Sequence, residues 1–312
     1  MYRDLGDVRA ARPAFAAAQA AGNQEARLEY AQLLIEDRDP NGGREMIDAL
    51  LADAGERPSP VLVLEGARAR MLAGDHVGAA KLLELADTMS GVVRWKLDRE
   101  RGRLALRKSD FLVAAAALSR ALEECGGDVE TFLLAADVGI ADAKVAEKVK
   151  KLAPERLKKR PEAKIIEGKQ LVAAEKYAEA EAAYKAAKDA LKAEKAAPRR
   201  LAQADFGLAL VAYNRQDMVN ALLMLQLVID EDPSLVDAYV FAADATKQPK
   251  QAFQLASKAV QFNPDYPHLW YLVGKNAHLI RDRRALTDAI SRLTALAPDS
   301  DELKELQALR GR

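Results

Sequence analysis

Along most of the chain, apolar residues return every three to four positions, the period that gathers them on one side of an α-helix. Five stretches share a finer pattern: GDVRAARPAF from Gly6, GDHVGAAKLL from Gly74, SDFLVAAAAL from Ser109, EKYAEAEAAY from Glu175 and QDMVNALLML from Gln216. Each opens on a polar turn and runs into an amphipathic segment where an alanine is followed, four residues on, by a larger side chain. The pairs are Ala11 with Phe15, Ala79 with Leu83, Ala114 with Leu118, Ala180 with Tyr184 and Ala221 with Leu225. On a helix each pair shares a face, and a small residue beside a large one lets a second helix approach and interdigitate.

A second mark closes the unit. VIDEDPSLVDAY, VQFNPDYPHLW and LTALAPDSDEL each contain a proline (Pro233, Pro264, Pro298) followed by Ser or Asp. Such a proline stops one helix, and the polar residue caps the next. Pro264 and Pro298 are 34 residues apart, Pro233 and Pro264 are 31, and Gly74 and Ser109 are 35. A recurrence of this length with two helices per unit predicts stacked helical hairpins, because one hairpin cannot bury its apolar face alone.

These units resemble tetratricopeptide repeats (TPR). The family pattern falls on Gly168, Leu171, Tyr177, Ala180, Tyr184 and Ala187 between Pro161 and Ala187. Between Asp205 and Pro233 it falls on Ala209, Ala212, Met218, Ala221, Leu225, Val228 and Pro233. Trp270, Gly274, Ala277, Ile290, Leu293 and Pro298 mark the last unit, and Gly102, Phe111, Ala114, Leu118 and Ala121 an earlier one. The resemblance spans nearly the whole chain. It implies an all-α, right-handed solenoid of about eight antiparallel helix pairs, with the first helix of each pair lining a concave groove.

There are departures. The units at Asp128–Pro154 and Leu235–Pro264 are short, and the unit from Glu25 to Asp53 carries Asp39-Pro40-Asn41-Gly42 at its turn. We expect one domain over residues 1–312, bent near 154–161, which separates 1–153 from 154–312. Asp7 to Ala21 reads as a second helix without its first. Asp301 to Leu309 reads as a polar capping helix.

Composition narrows the function. Half of the residues are apolar, mostly Ala and Leu, only 5% are aromatic, and β-branched runs between turns are almost absent. The net charge is zero, so no global field draws nucleic acid or a membrane surface. Residues 141–200 nevertheless hold 17 Lys and Arg against 10 Asp and Glu. Their densest part, Lys144 to Lys164, could contact phosphates. It is interrupted by Glu147, Glu155 and Glu162 and lacks aromatic residues for base stacking, which favours a solvated surface. One cysteine, Cys125, excludes an internal disulfide. No stretch approaches the roughly 20 apolar residues of a membrane span, and the default expectation is a cytoplasmic protein with no membrane insertion.

No phosphate-binding glycine loop, paired metal-ligand motif or nucleophile elbow is present. His76 falls in a turn between helices and is expected to be solvated. His268 and His278 are ten residues apart, too far to share a metal. Trp95, Trp270 and Cys125 are expected to pack. We therefore expect no catalysis, no cofactor, no metal and no small-molecule substrate.

Partner binding is the expected role, with a peptide or helix of another protein lying in the groove. Three stripes on first helices are candidates. Lys96, Arg99, Arg103 and Arg107 are spaced 3, 4 and 4 and would suit an acidic segment. His268, Tyr271, Lys275 and His278 form a mixed aromatic and cationic stripe. Phe206, Leu210, Tyr213 and Asn214 form the third; Phe206 and Leu210 are expected to pack as core, leaving Tyr213 and Asn214 for the groove. Lys275-Asn276 has no matching Asn-Lys set on other first helices, which argues against clamping of a chaperone tail. Two alternative functions remain: a docking or regulatory region of a larger enzyme such as a kinase, and a helical repeat that binds nucleic acid.

Overall fold

The computed structural model describes residues 23–310, together with Pro13, Phe15, Ala17 and Ala20. The expected helix from Asp7 to Ala21, with its Ala11, therefore lies largely outside the described residues. Among these residues there are 18 helices and no strand.

Eight hairpins follow one another: α1 (Gln24–Glu36) with α2 (Pro40–Ala54), α3 (Pro60–Leu72) with α4 (His76–Thr88), α5 (Arg94–Arg107) with α6 (Phe111–Glu124), and α7 (Val129–Gly139) with α8 (Ala143–Leu152). After a single-turn helix, α9 (Glu155–Lys158), come α10 (Pro161–Ala173) with α11 (Tyr177–Ala193), α12 (Pro198–Asn214) with α13 (Met218–Glu231), α14 (Val236–Ala245) with α15 (Pro249–Ala259), and α16 (Pro267–Leu279) with α17 (Arg283–Leu296). The last helix, α18 (Asp301–Arg310), packs on both α16 and α17 as a cap.

The turns explain the recurrence. Arg38, Gly74, Ser109, Glu175, Gln216 and Arg281 each adopt a left-handed conformation between a first and a second helix. Each ends its helix with the 6→1 backbone bond of a Schellman motif, as Asp75 N–H to the Arg70 carbonyl (2.8 Å) and Asp110 N–H to that of Ala105 (2.9 Å). In most of these turns the next residue is an aspartate that caps the second helix; Asp75 accepts from Gly78 N–H, Asp110 from Val113 N–H and Asp217 from Asn220 N–H. Prolines at the first turn of α2, α3, α10, α12, α15 and α16 start helices where the missing N–H does no harm.

Packing follows the small–large pattern. Ala79, Ala114, Ala180 and Ala221 are completely buried, and their partners Leu83, Leu118, Tyr184 and Leu225 nearly so. Glycines on first helices receive these large side chains: a β-carbon on Gly102 would lie 2.5 Å from Leu118, and one on Gly168 2.7 Å from Tyr184. At the expected bend, Pro154 precedes α9, whose Leu157 is buried in the core shared by α6, α7 and α8.

Candidate partner-binding face

The expected basic stripe is real, but its charges are already matched within the chain. Arg99 Nε donates to Glu100 Oε1 at 2.7 Å, and its Nη1 lies 3.1 Å from Asp128 and 3.6 Å from Glu130. Arg103 Nε donates to Glu100 Oε2 at 2.8 Å, with Nη2 2.7 Å from Glu130. Arg68, one hairpin earlier, joins through Glu130 (3.2 Å) and Glu36 (3.0 Å). The network thus ties α1, α3, α5 and α7 together along their first-helix side. Burial pushes the Glu130 carboxyl up, but Arg103, Arg68 and Arg99 outweigh it and hold it far below the carboxylate range. Glu100 behaves likewise, with Arg103 and Arg99 outweighing its burial.

Arg99 and Arg103 are consequently buried, and Arg107 spends its donors elsewhere: Nη1 on the carbonyl of Phe262 (3.3 Å) and Nη2 on that of Ser234 (3.1 Å). An acidic partner segment would find Arg99 and Arg103 paired with carboxylates and Arg107 buried on carbonyls, which leaves Lys96, whose ammonium lies 5.6 Å from the centre of the Trp95 ring. The sequence could not show this, because Asp128, Glu130, Ser234 and Phe262 lie on other hairpins. On the other side of α5, Asp98 binds Arg120 (2.7 Å) and Arg101 binds Asp87 (2.9 Å). Beside this network, a cleft of about 400 Å³ runs between Val61, Leu64, Val93, Trp95, Lys96 and Glu130.

The third and second stripes lie on the sixth and eighth hairpins, with α14 between them. On α12, Phe206, Leu210 and Tyr213 are half-buried rather than sealed in the core. Phe241 of α14 receives Phe206 and Tyr213 edge-on, with ring centres 6.0 and 5.1 Å away. The Tyr213 hydroxyl donates to Asp244, and the Asn214 amide to the Leu210 carbonyl at 2.8 Å. On α16, His268 pairs with Glu302 at 2.5 Å, and the Tyr271 hydroxyl donates to Glu305 at 2.9 Å. Lys275 lies over the Tyr271 ring at 5.4 Å, and His278 is half-buried at the end of the same helix. Trp270 is half-buried with its Nε1 donating to the Pro264 carbonyl at 2.7 Å.

Sequence reasoning passed over the carboxylates of this surface. Asp237 and Asp244 are seven residues, about two turns, apart on α14, and both are exposed. Asp237 has no hydrogen bond or ion pair among the described residues. Burial within the surrounding protein, together with the charge of Asp137, nevertheless pushes its pKa up, although Arg107 and Lys169 oppose the shift. Asp137, Arg107 and Lys169 belong to the fourth, third and fifth hairpins, so Asp237 is turned toward the other hairpins of the stack. The available signal was the spacing of Asp237, Phe241 and Asp244 on one helical face.

His76 corrects a further expectation. It is buried, not solvated, with Nδ1 3.1 Å from Asp265 of the α15–α16 loop. Burial first, then the charge of Arg107, pulls its pKa down to about 4. In the basic run, Lys148, Lys158 and Lys164 pair with Glu123, Glu155 and Glu167. Cys125 is buried at the end of α6 with its thiol directed to the Leu122 carbonyl. On the outer side, Val219, Leu223 and Leu227 form an exposed apolar stripe along α13. No described helix is long and apolar enough to cross a membrane.

Eight hairpins stacked through small–large contacts define a tetratricopeptide-like helical solenoid. Among solved structures, the APC/C hetero-tetramer Cut9–Hcn1 is similar over 93% of this chain and 55% of that chain, at 9% identity and a TM-score of 0.50. The pilF structure of Pseudomonas aeruginosa is similar over 69% of this chain and 97% of that one, at 19% identity and a TM-score of 0.46. A tetratricopeptide repeat protein from Parabacteroides merdae is similar over 81% and 99%, at 17% identity and a TM-score of 0.43. No protein-family model and no curated protein matches the sequence.

Proposed function

We propose that the chain is a scaffold without catalysis that holds a basic segment of a partner protein against the first-helix side of its last three hairpins. The observation that carries this reading is Asp237: an exposed carboxylate with no ion pair, inside the solenoid, beside the aromatic cluster of Phe206, Tyr213 and Phe241. Asp244, Glu302 and Glu305 extend the negative surface, with Lys247 and Lys275 beside Asp244. Rigid aromatic rings supply contact area at low entropic cost, and carboxylates outside an ion pair, here Asp237 and Asp244, select lysine or arginine and steer its approach. Tyr213, Asn214, His268, Tyr271, Lys275 and His278 are the proposed contacts, with Lys96 and the Trp95 cleft as a second station toward the N-terminus.

The experiment is selection of a random displayed peptide library on the purified chain. Enrichment of lysine- and arginine-containing peptides, whose binding weakens about tenfold or more in the Asp237→Asn/Asp244→Asn variant, is the expected result. A pool without basic bias, or binding that the double variant leaves intact, overturns the proposal.

A further inference from the structure

Six turns between first and second helices use a left-handed residue, and five of the six are not glycine: Arg38, Ser109, Glu175, Gln216 and Arg281 adopt φ between 58° and 72°. Backbone conformation therefore does not select Gly74 among them. What sets Gly74 apart is its surroundings. A β-carbon there would lie 2.2 Å from the carbonyl oxygen of Gln261 and 3.1 Å from its carbon. The α3–α4 turn thus lies backbone against backbone on the α15–α16 loop, although 187 residues of sequence separate them.

Three further contacts surround this approach. His76 meets Asp265 at 3.1 Å. Arg107, at the end of α5, donates to the carbonyls of Ser234 and Phe262, which lie just beyond the ends of α13 and α15. A cation there also meets the negative ends of two helix dipoles. The Asn263 side-chain amide completes the set by donating to the Arg107 carbonyl at 2.8 Å. The receiving loop is itself fixed, since Asp232 accepts from Ser234 and pairs with Arg199 at 3.3 Å.

We propose that these contacts form a releasable clasp, closing the second and third hairpins onto the loops that precede the seventh and eighth, and that its release widens the inner space faced by Asp237. The chemistry suits release. The contacts are hydrogen bonds, among them one between His76 and Asp265, and one glycine approach, and polar intramolecular interfaces of this kind exchange more readily than apolar ones. Groups facing His76 are Arg107 and Lys108 on the α5 side and Asp265 on the opposing loop. The inference stands whether or not the inner face binds a basic segment.

The test compares the full wild-type chain with Gly74→Gln and Asp265→Asn by small-angle X-ray scattering and amide hydrogen exchange. Gly74→Gln installs the residue that the α12–α13 turn already carries at Gln216, so turn strain alone is not what it measures. A larger radius of gyration, with exchange in residues 260–266 about tenfold faster or more and helix content retained, is expected. Gln216→Ala, at an equivalent but exposed turn, leaves both readings unchanged. Unaltered scattering and exchange in both clasp variants overturns the proposal, as does an equal effect from Gln216→Ala.

Discussion

Tyr184 and Gly207 are so close that a β-carbon on the glycine would sit 2.2 Å from the tyrosine ring. The same ring fills the space over Gly168, so one side chain of α11 spaces both α10 and α12. Gly207→Ala should therefore overpack this junction and cost about 1–3 kcal/mol in thermal or urea unfolding. Trimming the ring in Gly207→Ala/Tyr184→Leu should restore part of the loss, a coupling that a double-mutant cycle reads directly. Additive effects would mean the two do not meet. Ala221→Leu, at another completely buried site, should cost a similar amount.

Glu100 holds Arg99 and Arg103 with one oxygen each, and it is 1% exposed. Removing it takes a buried carboxylate from two buried guanidiniums and leaves them only Asp128 and Glu130, so Glu100→Ala should destabilise by about 3–5 kcal/mol. Replacing all three by apolar residues of similar size should cost far less, because it removes the desolvated charges together. The folded pKa of Glu100 is lowered, so its contribution is present in full above the ordinary carboxylate value and is lost as pH falls below it, through the lowered folded value. Acid unfolding of the wild type, monitored by circular dichroism, should be steeper than that of the apolar triple variant.

His76 and Glu231 load the pH profile in opposite directions. The folded pKa of His76 is depressed to about 4 from 6.5, so the folded state resists its protonation and stability falls as pH drops from 6.5 toward 4. Burial, with the charge of Asp205, raises Glu231 to about 7 from 4.5, so its contribution is present below 4.5 and is lost as pH rises through 7. Unfolding temperature measured from pH 4.5 to 8 should lose its acid-side decline in His76→Gln. Glu231→Gln should raise it at pH 8. If both variants follow the wild-type profile, these two groups do not govern it.

The helical hairpins were legible because their determinants are local. An alanine four residues before a large side chain acts within one hairpin, and Ala79–Leu83 and Ala114–Leu118 pack as expected. The capping expected after Pro233 and Pro264 fails, because α14 and α16 start after Leu235 and Tyr266 with no side-chain cap, while Ser234 turns to Asp232 and Asp265 to His76. The candidate face was legible only in part. The spacing of Lys96, Arg99, Arg103 and Arg107 correctly put them on one helical side, but their fate depends on Glu130, Ser234 and Phe262, which periodicity cannot place. His76 fails for the same reason: a turn residue is solvated by default, and only a loop 189 residues away buries it. Asp237 and Asp244 were overlooked because a lone carboxylate on a helix is ordinary until neighbouring hairpins enclose it.

The most direct measurement of the central claim is hydrogen exchange on the full chain with and without a bound basic peptide taken from the library selection. Protection should appear on the first-helix sides of α12, α14 and α16, around Tyr213, Asp237 to Asp244 and Tyr271. Protection confined to the outer stripe of Val219, Leu223 and Leu227 on α13, with the inner helices unchanged, would contradict it.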